Sequence, residues 1–417
     1  MPRIKPFYAF RPVMRLQNSV VTRPLENYSL GQARLIVSEN PYSFLHLVNP
    51  ELDNPYLRGS RQELIYKKVN ENLEAFVENQ VLIKEEKPSL YIYQVRHDGL
   101  TQTGVWALTH INDYLSGNIK KHELTVERRE KSLSEYLQQT GIDANPVLLT
   151  YVKNEVIENV IAKYLSIEPK VDFIYEDGTH HLVWVVDELN DLNSLLTAFA
   201  DMDTVYIADG HHRIASMAKM AIHKRTLKAN NENSEFNYFS SAYFNTNQVK
   251  ILPYNRMVKD LASLSIEQFL TEVSKSFVVK KVGRSIVPKN LHEFGMYVDQ
   301  SWYKLIAKPN LYNDLDPVSV LDVSILQNYI LKPILAIDDP RTDARITFEG
   351  GNTPIENLQQ QVDNKNYAVV FTLFATSVEQ LIAVADANGI MPPKSTWVEP
   401  KFLVGMLSNL MHSVPER

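Results

Sequence analysis

The chain has 417 residues, with 43 Lys and Arg against 49 Asp and Glu, a net charge of −6 and no cysteine. The length predicts two or three domains. The mild acidity disfavours nucleic acid as a partner, which rewards a basic face, and the missing thiols exclude disulfides, cysteine nucleophiles and cysteine-based zinc sites.

No apolar run of signal-peptide type follows Met1-Pro2-Arg3-Ile4-Lys5-Pro6. Residues 1–60 are rich in Pro, Asn and Tyr and read as irregular, with a strand expected at Ala33–Val37. Ser60-Arg61-Gln62-Glu63 has the form of a capping box and predicts a helix through Leu64, Val69, Leu73, Phe76 and Val77. Leu90–Val95 and Val105–Leu108 form a hairpin pattern around Asp98-Gly99. Ser116-Gly117-Asn118 is a turn, and a helix is expected from an N-cap at Thr125 to Gly141. A buried strand at Val147–Val152, a helix over 154–165, a hairpin over Phe173–Val186 and a helix over 189–200 lead to a strand at 204–208.

Asn230–Asn237 reads as a polar loop before a strand at Tyr238–Phe244, and a soft boundary near 250 divides the chain into 1–250 and 251–417. The second part alternates helices (264–275, 319–331, 377–388) with strands (277–282, 294–297, 302–307, 367–374). Its most apolar segment, 367–385, is interrupted by Thr372, Thr376, Ser377, Glu379 and Gln380. It therefore reads as strand plus helix, and a cytoplasmic protein without a membrane span is expected. The fold class expected is α/β (α+β mixed).

The stretch with the clearest chemistry is Tyr206-Ile207-Ala208-Asp209-Gly210-His211-His212-Arg213. A short apolar run ends in Asp-Gly, and Ile214, Met217, Ala218, Ala221 and Ile222 then recur at helical spacing. A strand, a tight turn and a helix start aim backbone N–H groups and the positive end of the helix dipole at one spot. His211, His212 and Arg213 at that spot suit a phosphate, with Asp209 holding the turn or reaching a Mg²⁺ carried by the phosphates. The plain alternative is a capped helix start with Asp209 as N-cap. Zinc is disfavoured, because adjacent helical residues point about 100° apart.

Other phosphate loops are missing. No G-x-G-x-x-G occurs, and Gly99 and Gly104 are followed by Val105-Trp106 where Lys and Ser/Thr are needed. Lys120-Lys121-His122-Glu123 reads as a solvated turn or as a carboxylate base beside cations. Asp177-Gly178-Thr179-His180-His181 has no helix after it and reads as a hairpin, with His181 lining a pocket in the functional alternative. Lys394-Ser395-Thr396 reads as an ordinary loop or as a cover over a ligand.

Three separated stretches, Ile119–Thr125, Ala208–Arg213 and Met391–Thr396, together with Asn40-Pro41-Tyr42-Ser43-Phe44-Leu45-His46, resemble bacterial proteins of the domain-of-unknown-function family 1015. More distantly, Lys-x-His-Glu, Asp-Gly-His-His-Arg and a Pro-Lys-x-Thr loop, in that order, resemble the free serine kinases of the ParB/sulfiredoxin-like fold. That resemblance implies a ParB/sulfiredoxin-like core with an N-terminal extension and a second α/β domain whose loop 391–400 returns to the site. It implies Glu123 as general base, with Asp209 assisting. Gly210, His211, His212 and Arg213 would bind nucleotide, and Lys394, Ser395 and Thr396 would bind substrate; from their own placement, Lys121 and His122 are added to the nucleotide set and His181 to the substrate set. ATP or ADP with Mg²⁺ would be the cofactors and free L-serine the leading acceptor. A ParB-like nucleotide switch without an acceptor is the alternative. Thr22-Arg23-Pro24-Leu25-Glu26-Asn27-Tyr28 stands where the family often has Pro-Pro-Tyr-Asp, which points to a substrate difference.

Overall fold

A computed structural model describes residues 2–52, 54–57, 62–227 and 232–411. The chain divides into two units: 1–120, 125–249 and 400–417 form the first, and 121–124 with 250–399 form the second.

The first unit is organised by a nine-stranded mixed sheet. Its strands are β1 (Ile4–Lys5), β2 (Leu90–His97), β3 (Leu100–His110), β4 (Ile119–Lys120), β5 (Val147–Tyr151), β6 (Val171–Ile174), β7 (His180–Val186), β8 (Val205–Asp209) and β9 (Tyr238–Asn245). The order is β4-β8-β5-β9-β3-β2-β7-β6, with β1 on β3. β8 runs parallel to β4, β9 runs parallel to β5, and the other pairings are antiparallel. The alternation around Asp98-Gly99 and Asp177-Gly178 gives the two expected hairpins.

The longer helices of this unit are α1 (Leu30–Glu39), α2 (Gln62–Glu78), α3 (Glu127–Thr140), α4 (Glu155–Leu165), α5 (Leu189–Ala200) and α6 (His211–Leu227). Apolar stripes of α4, α5 and α6, among them Ile157, Ile161, Leu195, Phe199, Ile214 and Ala221, pack on Ile92, Val105, Leu149 and Ile207 of the sheet.

Two local expectations are corrected. Ala33–Val37 is helical, because Ser29 and Gln32 form a reciprocal capping box at the start of α1. Thr125 does not cap α3. Its hydroxyl donates to Glu130, and Val126 occupies the cap position with no side-chain bond. The Ser60-Arg61 half of the other capping box lies outside the described residues, as do Asn230 and Asn231 of the polar loop.

The second unit holds a six-stranded antiparallel sheet: β10 (Tyr254–Val258), β11 (Phe277–Val282), β12 (Glu293–Val298), β13 (Ser301–Ala307), β14 (Ile346–Gly350) and β15 (Val369–Leu373). They lie in the order β11-β13-β12-β15-β10-β14. Helices α7 (Ile266–Ser276), α8 (Asp322–Leu326), α9 (Ile355–Asp363) and α10 (Val378–Asp386) accompany it. The expected helix over 319–331 continues from α8 into a π-helical turn, Gln327–Leu331. No helix among the described residues is long and apolar enough to cross a membrane.

Candidate phosphate-binding site

The Asp-Gly-His-His-Arg stretch has the local form its residues dictate. β8 ends at Asp209 and α6 begins at His211. The pairing of β8 with β5 shifts register between Ile207 and Asp209, and such a bulge re-aims the residue that follows it. Gly210 has φ +97°, in the region that favours glycine. Its carbonyl accepts from Ile214 N–H at 3.1 Å, so Gly210 and not Asp209 is the N-cap. The first-turn amides of α6 have no intrahelical acceptor, and the dipole of a 17-residue helix points its positive end at them.

Asp209 instead orients cations. Its Oδ2 accepts from Arg213 Nη2 at 2.9 Å, and Lys401 Nζ lies 3.6 Å from Oδ1. Two cations share this one carboxylate. His212 Nδ1 accepts from Val126 N–H at 3.4 Å, so in the neutral ring Nε2 carries the proton and is its donor. His211 is buried and His212 half-buried. Ile119 and Lys120 pair with Val205 and Tyr206 of β8.

A Cβ at Gly210 would lie 2.8 Å from both Nε and Nη2 of Arg213. Gly210→Ala therefore strains the backbone and displaces the guanidinium. Loss of roughly 1–3 kcal/mol of stability is expected in urea unfolding, together with weaker phosphate binding.

Asp143 is a second carboxylate near this turn, with its Oδ2 taking the Ser240 N–H at 2.6 Å. Burial pushes its carboxyl up to about 6, opposed by the Ser240 amide and the Arg213 charge. Because the folded value lies above the unfolded one, its contribution is fully present below about pH 4 and is lost as pH rises through about 6. Asp143→Asn should remove that slope. Relative to the wild type, the variant gains up to about 3 kcal/mol between pH 4 and 7.5, read from denaturant unfolding at each pH.

The remaining candidates belong to other environments. Lys121 is exposed, His122 buried and Glu123 half-buried. The His122 carbonyl accepts from Met391 N–H at 2.8 Å, which joins two of the motif stretches within the second unit. Ser395 is buried, its hydroxyl donating to Pro392 O at 2.6 Å; Thr396 is half-buried and Lys394 exposed. His181 is 1% exposed and stacks on Phe173 and Tyr93, with Nδ1 2.8 Å from the Tyr93 hydroxyl. Burial pulls its imidazole down to about 4, so it stays neutral and has little surface to offer a substrate.

The profile described as a protein of unknown function, DUF1015, matches residues 4–324. The chain belongs to the DUF1015 family. Among solved structures it is distantly similar to free serine kinase in complex with AMP, with a TM-score of 0.38 at 13% identity, covering 72% of this chain and 91% of that one. SbnI with a C-terminal truncation, from Staphylococcus aureus, gives a TM-score of 0.39 at 10% identity and covers 75% and 90%. A conserved hypothetical protein from Pyrococcus furiosus gives 0.37 at 13%, covering 73% and 95%. No curated protein matches the sequence.

The donor set fits a phosphate: helix-start amides, a guanidinium held in place, an ammonium and an imidazole N–H. It does not offer a protein cage for a metal. Among the described residues no group of three His, Cys, Asp or Glu could hold an ion, and Asp209 already faces two cations. A magnesium ion fits only as one carried largely by phosphate oxygens and water.

Sequence reading missed Lys401 and Asp143. Lys401 follows Pro400 at the margin of the 391–400 loop, and Asp143 lies in no motif. Each comes to the turn only through long-range packing.

Proposed function

We propose that this protein is a nucleotide-dependent kinase acting on the hydroxyl of a small molecule, with free L-serine the leading acceptor. The observation that carries the reading is the Asp209–Arg213 turn. It combines a left-handed glycine, a helix start and an arginine fork held by the carboxylate four residues before it. The order of the Lys-x-His-Glu, Asp-Gly-His-His-Arg and Pro-Lys-x-Thr motifs, shared with free serine kinases of the ParB/sulfiredoxin-like fold, supports it further.

ATP or ADP, with Mg²⁺, would supply the phosphoryl group. The amides of His211, His212 and Arg213 bind phosphate oxygens, and Arg213 adds its fork. Asp209 orients Arg213 and Lys401, a role its two cationic neighbours suit better than metal binding. His212 Nε2–H is a further donor, and Lys121 and His122 belong to the nucleotide-binding set. Glu123 takes the hydroxyl proton as the new O–P bond forms and the bond to the leaving nucleotide oxygen breaks. Lys394, Ser395 and Thr396 hold the acceptor. Phosphoryl transfer asks mainly for such positioning and charge neutralisation.

Lys120 and Val126, which bracket Glu123 in sequence, meet Tyr206 and His212. The test is incubation with ATP or ADP, Mg²⁺ and a panel of free amino acids. Phosphoserine is the expected product. Nucleotide binding without acceptor-dependent turnover would favour the switch reading instead.

A further inference from the structure

The sheet of the second unit ends in two edge strands of unlike character. β14 has no exposed residue, and a Cβ on its Gly350 would lie 2.6 Å from the Trp397 ring, which covers that end of the strand. β11, at the opposite edge, pairs with β13 alone. Alternate residues of such a strand turn their N–H and C=O groups away from the sheet, and that row can pair with another extended chain. Among the described residues, no backbone group outside β13 bonds to the main chain of Val278–Val282.

Alternation puts Val278, Lys280 and Val282 on one face of β11 and Phe277, Val279 and Lys281 on the other. Phe277 is buried edge-on to Phe294, which fixes the start of the strand to the core. On the other face Val278 is 55% exposed and Ile306, directly across from it on β13, 41% exposed, so an aliphatic pair lies open beside the edge. Lys280 stands opposite Lys304, and like charges facing each other across a sheet cost stability. Lys304 is neutralised by Glu293 at 2.6 Å; Lys280 is not.

The positive charge continues along the chain. From Ser274 to His292 the sequence carries Lys275, Lys280, Lys281, Arg284 and Lys289 and no acid, within a protein whose net charge is −6. Lys275 is bonded to Glu272. Lys280, Lys281, Arg284 and Lys289 are exposed, and among the described residues no carboxylate lies within ion-pair distance of them. Four such cations repel a second copy of the same edge, as lysines on edge strands do. The one aromatic ring of the strand, Phe277, is buried and cannot stack on a base, the contact that single-stranded nucleic acid asks for. An extended chain that brings carboxylates fits both the unpaired main chain and the unpaired charge.

We propose that β11 is a docking edge for an extended acidic peptide of a partner protein, which adds a seventh strand to this sheet. The sheet is antiparallel throughout, and an antiparallel guest fixes the order of its residues. Acids stand opposite Lys281 and then Lys280, any residue opposite Val279, and an aliphatic residue opposite Val278, where it joins Ile306. The pattern is Glu-Glu-x-Val. Main-chain bonds supply the affinity and the acids the selectivity. The docking edge does not depend on the kinase reading.

The test titrates the full chain into two labelled, end-blocked peptides, Thr-Glu-Glu-Thr-Val-Thr and Thr-Lys-Lys-Thr-Val-Thr, read by fluorescence anisotropy. Hydrogen exchange of the segment 277–282 is followed by mass spectrometry in the same mixtures. The acidic peptide should bind about tenfold or more tighter than the basic one, lose affinity with added salt and slow exchange at 277–282. Lys280→Glu combined with Lys281→Glu, both at exposed positions, should reverse the preference while the thermal melt stays close to that of the wild type. Absence of binding, equal binding of the two peptides, or binding that leaves exchange at 277–282 unchanged overturns the proposal on the wild type alone. An unchanged preference in the doubly substituted chain overturns it as well. Tighter binding of a mixed-sequence single-stranded oligonucleotide would replace it with a nucleic-acid surface. Protection of 277–282 that rises with protein concentration and needs no peptide would replace it with an interface between copies.

Discussion

Glu123→Gln is expected to lower kcat by roughly 10²–10⁴-fold, the range a positioned general base contributes, while nucleotide affinity stays close to that of the wild type. The amide keeps the volume and one acceptor oxygen of the carboxylate but cannot take the hydroxyl proton. The substitution leaves the residues assigned to nucleotide binding, Lys121, His122 and Gly210 to Arg213, in the sequence. Phosphoserine formation and calorimetric nucleotide titration on the same preparation check both halves. Full activity in the variant removes Glu123 as the base. Loss of nucleotide binding along with activity makes Glu123 a binding residue instead.

Arg213→Met is expected to weaken nucleotide binding by roughly ten- to a hundredfold, because a charge-assisted hydrogen bond is worth about 1.5–3 kcal/mol. The Arg213–Asp209 pair is partly exposed, so its loss should cost the fold less than about 1 kcal/mol. A thermal melt near that of the wild type with a raised Kd is the signature sought. Arg213→Lys should recover only part of the affinity, since an ammonium keeps the charge but not the planar fork. Added salt should weaken the wild type more than Arg213→Met, because the variant has one charge fewer to screen.

Where hydrophobic periodicity and turn chemistry agree, the elements are legible in the sequence. Asp98-Gly99 and Asp177-Gly178 sit between alternating strands and form hairpins, and Gly141 ends α3 at φ +68°. The helix expected over 189–200 has those bounds. Ala33–Val37 misleads because four apolar residues around Arg34 suit a strand or a helix equally, and the Ser29/Gln32 box that decides between them lies upstream. The strand-to-helix turn at 208–211 is legible because its residues are contiguous. Its electrostatics are not. Lys401 meets Asp209 from almost two hundred positions away, and Ser240 binds Asp143 from nearly a hundred. Arg256 reads as one more charge in an alternating strand until the pairing of β10 with β14 and β15 shows that it is buried.

The account stands most directly on where a nucleotide's phosphates rest. A crystal structure of the protein with ADP and Mg²⁺ should place them about 2.7–3.2 Å from the amides of His211, His212 and Arg213, with the Arg213 fork on the same oxygens. A nucleotide bound with its phosphates away from Gly210–Arg213 would contradict it.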